Sequence, residues 1–275
     1  MLQTWIDRWR LTPDGAVFVT EATRSRVQPV RTADGMQAVL KVAASDEERR
    51  GGAAMEWWAG CGAARVLARS GAALLLERLN GEGELQAMAA RGGGDDDAAT
   101  RILCRVAMGM HRPAEADVAL IDLELWFAEL HRAAGAPSRE RPLFAQASAT
   151  AKDLFAGGAS AVALHGDMHH GNALRSADGD WVAIDPKGLV GDPGYDFANI
   201  LNNPSAEIAH APGRLGRQAR VIAECSGQPL PQVLRWAFTY AALSGAWSWA
   251  DGREDRAALA LTTARIAQAE LAAIA

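Results

Sequence analysis

Short runs of apolar or alternating residues occupy the first third of the chain, and they predict β-strands. Turn residues separate the runs, as in Ala33-Asp34-Gly35. Apolar residues three and four apart at the amino terminus predict a short amphipathic helix ahead of them. The predicted strands cover residues 16–20, 27–30, 37–42, 64–68 and 73–79.

Longer stretches carry apolar residues at helical spacing and predict α-helices. The first covers residues 45–60, with Ser45 as its N-cap and three acidic residues in its first turn. After residue 80 helices dominate, apart from a glycine and aspartate run at 91–97 that we expect to be a loop. Further helices are predicted from residue 85 onward and over 98–111, 119–134, 143–155, 215–225, 231–251 and 256–275. Strands followed by helices indicate an α+β fold with a domain boundary near Asn80.

One region interrupts the helical part with short strands. Residues 162–164 predict a buried strand that leads into a loop, and residues 172–175 and 181–184 predict a hairpin. Such a hairpin would bring Asn172 close to Asp185, with Asp167 on the loop beside them. Two oxygen ligands and a nearby carboxylate are what Mg-nucleotide phosphoryl transfer needs.

Composition and charge narrow the class of protein. The 275 residues carry a net charge of -5 without a basic cluster, which argues against a nucleic-acid partner and favours a cationic acceptor. Three cysteines without C-x-x-C spacing indicate a reducing compartment and no zinc site. No apolar run approaches the roughly 20 residues that cross a bilayer, and the amino terminus lacks the apolar core of a signal peptide. We therefore expect a cytoplasmic protein with no membrane partner; the sequence indicates no oligomeric state.

The region from His165 to Asp196 resembles a known family. The spacing H-x-D-x-x-x-x-N over residues 165–172 is that of the kinase catalytic loop, and Ile184-Asp185 stands where D-F-G stands in protein kinases. This form resembles the aminoglycoside phosphotransferase family. The continuation D-P-K-G-L-V-G-D-P-G-Y-D over residues 185–196 is similar to its streptomycin 6-kinase and hydroxyurea kinase branch. The resemblance implies a two-lobed protein-kinase-like fold, with a first lobe of mainly antiparallel sheet and one helix (residues 1–79) and a larger helical lobe (residues 80–275).

The resemblance also implies roles for the residues of the loop and hairpin. Asp167 would be the catalytic base that takes the proton of the acceptor hydroxyl. Asn172 and Asp185 would hold Mg²⁺. His165 would orient the loop, and Asp196 would tether it by accepting N–H bonds.

Further roles follow for the first lobe, where ATP would bind. Lys41, at the end of an apolar strand, would contact the nucleotide phosphates, with Glu48 as its helical partner only narrowly preferred over Glu47. The turn at 21–26 contains no glycine, so phosphate contacts would fall to Ser25 and its neighbours. The carbonyl of Glu77 and the N–H of Leu79 would contact the adenine edge.

The function predicted from this set is ATP-dependent transfer of the γ-phosphate to a hydroxyl of a small molecule, most simply an aminoglycoside such as streptomycin. A metabolic kinase for a sugar or an amino alcohol on the same fold is the first alternative. A nucleotide-binding module without turnover is the second alternative, because the predicted phosphate turn contains no glycine and the sequence does not single out one helical glutamate as the partner of Lys41. Lys187 is expected to reach either a phosphate oxygen or Asp192.

Overall fold

The computed structural model describes residues 2–20, 23–114 and 118–274. Residues 21 and 22 of the predicted phosphate turn lie outside these ranges. Within them, the strands of the first sheet are β1 (Thr12–Pro13), β2 (Phe18–Val19), β3 (Arg26–Arg31), β4 (Gln37–Val42), β5 (Val66–Ser70) and β6 (Ala73–Glu77).

The first sheet is antiparallel throughout, in the order β1-β3-β4-β6-β5, with β2 also paired to β3. Its inner face is apolar: Val30, Ala38 and Leu40 are fully buried. Helix α1 (Leu2–Arg8) places Leu2 and Ile6 against this core.

Helix α2 (Asp46–Trp58) packs near the same sheet. Ser45 caps it, since its hydroxyl accepts the N–H of Glu48 at 3.2 Å. The first lobe thus contains α1 as well as α2, and the expectation of one helix was too low. The amphipathic stretch at the amino terminus had indicated the additional one.

The rest of the chain is mainly helical. Its helices are α3 (Glu84–Arg91), α4 (Gly93–Met110), α5 (Leu123–Trp126), α6 (Ala128–Gly135), α7 (Arg141–Ala156), α8 (Tyr195–Ala198), α9 (Ala206–Ala209), α10 (Arg214–Ser226), α11 (Leu230–Ala250) and α12 (Glu254–Ala273), with a 3-10 helix at Asn199–Asn202. Helix α11 runs through the core, with Trp236, Phe238 and Leu243 fully enclosed. These features confirm the predicted α+β architecture, in which an antiparallel sheet is followed by a mainly helical part.

Small strands build the platform under the candidate site. They are β7 (Ile121–Asp122), β8 (Val162–Leu164), β9 (Ala173–Arg175), β10 (Trp181–Ala183) and β11 (Leu189–Gly191). Strands β9 and β10 form the predicted hairpin, and β11 lies between β7 and β8.

Two predictions for the helical part were wrong. Residues 119–134 are not one helix, because Ile121–Asp122 pairs with β11 and Phe127 separates α5 from α6. The side chain of Asp122 caps α5 by accepting the N–H of Glu124 at 2.8 Å. Residues 91–97 are not all loop, because α4 begins at Gly93.

The sheet ends at Glu77 and α3 begins at Glu84. Asn80 forms a bridge with Arg175 of the hairpin, and Ala63 forms one with Ala183. The hairpin is therefore hydrogen-bonded to the segments on either side of the last two strands of the sheet. The lobe boundary at residues 79 and 80 stays a prediction. None of the helices in the described ranges combines the length and apolar composition that crossing a membrane requires.

Candidate active site

The loop of residues 165–172, called the Asp167 loop below, is held by a buried carboxylate. Asp196 on α8 accepts the N–H of His165 at 2.9 Å and the N–H of Gly166 at 2.7 Å. His111 Nε2 also donates to it at 2.9 Å. Burial alone would raise the pKa of Asp196, but His111, the His165 side chain and the N–H of Gly166 outweigh burial, so the pKa lies below its usual range. The structure thus places Asp196 as a tether of the loop, and His111, which has no motif spacing, as its partner.

The imidazole of His165 joins the loop to the hairpin. Its Nδ1 accepts the N–H of Asp167 at 3.0 Å, and its Nε2 donates to the carbonyl of Ile184 at 2.8 Å. One accepting and one donating nitrogen describe a neutral ring. Burial lowers the pKa of His165 and keeps that neutral form. Residue 184, and therefore Asp185, is fixed beside the Asp167 loop.

The carboxylate of Asp167 lies between an amide and an ammonium group. Its Oδ1 accepts Asn199 Nδ2 at 2.8 Å, and its Oδ2 lies 3.6 Å from Lys187 Nζ. A quarter of the side chain is exposed. The carboxylate is therefore oriented and still reachable by an acceptor.

Asn172 and Asp185 lie next to each other, as the hairpin predicted. Ile184 N–H donates to the carbonyl of Asn172 at 2.9 Å, and Asn172 Nδ2 donates to the carbonyl of Asp167 at 2.9 Å. Because its amide nitrogen is used there, the side-chain oxygen of Asn172 remains available as a ligand. Asp185 has a φ of 57°, in the left-handed region that non-glycine residues rarely adopt and that occurs at functional sites.

Strand β4 brings Lys41 to Asp185. Lys41 Nζ lies 2.7 Å from Asp185 Oδ1 and forms an ion pair with Glu48 of α2. Glu56, the third glutamate of this helix, pairs with Arg69 instead. Burial would lower the pKa of Lys41, but the two carboxylates outweigh it and raise the pKa. Between the candidates left open by the sequence, Glu48 is the partner of Lys41.

Ser25 lies in the same region, and its hydroxyl and backbone N–H already form hydrogen bonds within the protein. Its hydroxyl donates to Glu48 Oε2 at 3.2 Å and accepts the N–H of Ala44 at 3.2 Å, and its own N–H donates to Thr20 Oγ1 at 2.9 Å. The side chain is completely buried. The structure thus places Ser25 as a support of Glu48, and its contact with a nucleotide phosphate stays a prediction.

Glu77 is the last residue of strand β6, and Leu79 follows it in the connection to α3. The carboxylate of Glu77 accepts the N–H of Arg65 at 2.7 Å and its side chain at 3.1 Å, which ties the strand end to residue 65. Among the described residues, the N–H of Leu79 has no backbone acceptor. A donor of this kind is available to a ligand.

Helix α2 lies directly on the segment of residues 185–188, called the DPKG segment below. A Cβ placed on Gly51 would lie 2.2 Å from the carbonyl oxygen of Pro186, so only glycine permits this approach. Gly188, at the end of the same segment, packs against Ala54 of helix α2: a Cβ placed on Gly188 would lie 3.4 Å from Ala54 Cβ. Helix α2 contains two adjacent glycines, Gly51 and Gly52, and the close packing on Pro186 explains why residue 51 is glycine.

Sequence reasoning missed three contacts of the site. Lys187 pairs with Glu47 at 2.8 Å and approaches Asp167, and does not pair with Asp192. Asn199 follows Asp196 by three positions, one helical turn, so that spacing alone could have predicted a common face. His111 carried no such signal.

The oxygen ligands of Asn172 and Asp185 fit a magnesium ion better than a metal ion whose ligands all come from protein side chains. The described residues contain no cluster of three or more metal-ligating side chains. Mg²⁺ usually takes one or two protein oxygens and completes its shell with phosphate oxygens and water. The free oxygen of Asn172 and the carboxylate of Asp185 match that requirement.

A family model described as aminoglycoside/hydroxyurea antibiotic resistance kinase matches residues 8–252. The chain belongs to this family. The resemblance stated from the Asp167 loop is thereby confirmed, and so is the class of enzyme, a kinase.

Relatives within the family are named for streptomycin. A streptomycin 3''-kinase of Klebsiella pneumoniae is 40% identical over 253 residues, covering 90% of this chain and 92% of the relative. A streptomycin 6-kinase of Streptomyces glaucescens is 32% identical over 282 residues, covering 96% and 88%. Among solved structures, a thermostable mutant of an aminoglycoside phosphotransferase in complex with ADP and hygromycin B superposes with a TM-score of 0.62 at 16% identity, covering 98% of this chain and 97% of that one. At that identity the likeness concerns the fold.

Proposed function

We propose that this protein transfers the γ-phosphoryl group of ATP to a hydroxyl of streptomycin. The main support for this proposal is that Lys41, Asp167 and Asp185 lie in one site, although Lys41 and Asp185 are 144 positions apart in the sequence. This is the arrangement that phosphoryl transfer needs, because the reaction depends on placement and charge neutralisation. Family membership and the streptomycin kinases among the relatives supply the acceptor class.

Asp167 acts as the general base. Its Oδ2 accepts the proton of the acceptor hydroxyl as that oxygen forms a bond to the γ-phosphorus. The bond from the γ-phosphorus to the bridging oxygen of ATP breaks, and its electron pair leaves with ADP. The products are the phosphate ester, ADP and the proton held by Asp167, which passes to water.

Lys41, Asn172 and Asp185 bind the phosphate end of the nucleotide. The Lys41 ammonium exchanges part of its contact with Asp185 for the phosphates, while Glu48 keeps it in place. Asn172 and Asp185 would hold Mg²⁺, which, when bound, neutralises charge that develops on the phosphate oxygens. The N–H of Leu79 and the carbonyl of Glu77 would bind the adenine edge. A cytoplasmic site of action is part of this proposal, since ATP is the donor.

Purified protein with ATP and Mg²⁺ tests this proposal against streptomycin, a sugar and an amino alcohol. We expect ADP release and a phosphorylated product with streptomycin only. Asp167→Asn, which keeps the shape of the side chain, should lower kcat about 10²- to 10⁴-fold. Phosphorus NMR of the product would locate the ester, and the 40% identity to a 3''-kinase favours the 3'' position over the 6 position.

Two outcomes would contradict the proposal. Turnover with the amino alcohol or the sugar but not with streptomycin would establish the metabolic kinase instead. Tight ATP binding with no transfer to any acceptor would establish a binding module.

A further inference from the structure

Lysine is rare in this chain, and it is concentrated at the candidate site. The sequence contains three lysines, Lys41, Lys152 and Lys187. Lys152 is exposed on α7, while the other two form ion pairs in the site. Lys187 has no part in the mechanism given above, yet its side chain is only 19% exposed. A largely buried ammonium needs partners that stabilise its charge.

The partners of Lys187 are two carboxylates. Its Nζ lies 2.8 Å from Glu47 Oε1 and 3.6 Å from Asp167 Oδ2. These two carboxylates stabilise the charged form of the ammonium. Its backbone N–H donates to the carbonyl of His165 at 2.7 Å, which fixes residue 187 against the Asp167 loop.

Two parallel sets of ion pairs therefore start from one helix. Glu48 binds Lys41, which binds Asp185, and the preceding residue Glu47 binds Lys187, which approaches Asp167. Because both glutamates belong to the first turn of α2, both aspartates are placed relative to the same rigid element.

We propose that Lys187 is a positioning residue for Asp167; this rests on the phosphotransferase function proposed above. Asn199 binds one carboxylate oxygen of Asp167, and the charge of Lys187 attracts the other. A separation of 3.6 Å exceeds hydrogen-bond length, so the lone pairs of Oδ2 stay available for the proton of the acceptor. Lys187 thus fixes the direction of the base without occupying the atom that reacts.

Lys187→Met tests this role because it removes the charge and keeps the chain length. We expect kcat for transfer to streptomycin to fall about 10²-fold, the cost of a misplaced catalytic group. The KM for ATP should change less than about threefold, because Lys41, Glu48 and Asp185 are untouched. Lys187→Arg should recover at least about tenfold of the loss, since it restores the charge. Lys152→Met is the matched control and should leave both constants unchanged.

The two glutamates provide an internal comparison. Glu47→Gln should lower kcat, whereas Glu48→Gln should raise the KM for ATP. In the double variant Lys187→Met with Glu47→Gln, kcat should fall no further than in Lys187→Met alone, because both changes break the same set of contacts.

The outcomes separate this proposal from the function on which it rests. If Lys187→Met keeps kcat within about threefold of wild type while Asp167→Asn is inactive, the positioning role is overturned and the kinase function stands. If kcat falls together with the melting temperature and Lys187→Arg recovers nothing, Lys187 is a structural contact and the proposal is overturned. If the wild-type protein transfers phosphate to no acceptor, the proposed function fails, and the positioning role fails with it.

Discussion

Single side chains of the site are held by groups far away in the chain. His111 meets Asp196 across 85 positions, and Ser25 meets Glu48 across 23. Within the Asp167 loop, His170 differs from its neighbours. It is 1% exposed, and neither ring nitrogen has a hydrogen-bond partner among the described residues.

His170 should make stability depend on pH. Burial, followed by the charges of Arg214 and His169, lowers its pKa in the folded protein from 6.5 to about 3. Between these values the unfolded chain binds a proton that the folded chain does not, so acid favours unfolding. The contribution of His170 to the free energy of unfolding should therefore be complete above pH 6.5. Below that pH the free energy of unfolding should fall by about 1.4 kcal/mol per pH unit, which amounts to a loss of about 2 kcal/mol at pH 5.

Urea unfolding at pH 7.5 and pH 5 measures this effect. The variant His170→Leu should lose less stability between the two values than wild type; His165 and His131, whose pKa values are also lowered, leave a residual loss. His210→Gln, a change at a histidine bonded to Thr263, is the control and should retain the wild-type loss. Equal losses in His170→Leu and wild type would contradict the assignment.

At the scale of elements, α2 and the DPKG segment form one unit. The contact of Gly51 with Pro186 sets how deeply the helix sits, and the helix in turn carries both glutamates of the ion pairs. A shift of this helix therefore displaces the partners of Lys41 and Lys187 together.

Adjacent glycines in α2 should respond in opposite ways to alanine. In Gly51→Ala the new methyl would lie 2.2 Å from the Pro186 oxygen, so helix or segment must move. We expect a loss of about 1–3 kcal/mol in the free energy of unfolding and a lower kcat. In Gly52→Ala the nearest atom is Leu74 Cδ2 at 3.5 Å, an ordinary contact, so helix propensity should dominate, with a gain of up to about 1 kcal/mol.

Chemical unfolding and steady-state kinetics of the two variants check this prediction. If Gly51→Ala proved as stable and as active as Gly52→Ala, the close approach of helix and segment would not be a constraint.

At the scale of the whole molecule, a buried charged group joins α4 to α10. Asp96 is fully buried and accepts Arg214 through two bonds of 2.9 Å. Arg217 and Gln218 each add a bond of 2.8 Å to the same carboxylate. Burying a carboxylate destabilises the folded protein unless its ion-pair and hydrogen-bond partners are all present.

Asp96→Ala should destabilise the protein by about 3–5 kcal/mol, because it leaves the charge of Arg214 buried and unpaired. Asp95→Ala is a close control: Asp95 precedes it in the same turn but forms a half-exposed pair with Arg91. That change should cost less than about 1 kcal/mol. Equal losses of unfolding free energy in denaturant titrations would show that the network does not hold the helices together.

Local pattern determined much of the fold. Strands Gln37–Val42 and Val162–Leu164 lie where the apolar runs predicted them, because side-chain period and turn residues act within a few positions. The Asp167 loop and the hairpin were likewise predictable, since a fixed spacing and one turn bring Asn172 and Asp185 together. The prediction of one helix over residues 119–134 was wrong because pairing with the strand Leu189–Gly191 outweighs helical propensity there.

The sequence by itself determined the kinase class and the family, and it predicted which residues carry the chemistry. Only the tertiary structure decided which partner each residue has: Glu48 for Lys41, Glu47 for Lys187, Asn199 for Asp167 and Glu48 for Ser25. Neighbouring helical residues point about 100° apart, so the choice between Glu47 and Glu48 depends on how α2 is rotated against the site. That rotation is set by the packing of Gly51 on Pro186, a contact between residues 135 positions apart that no local pattern contains.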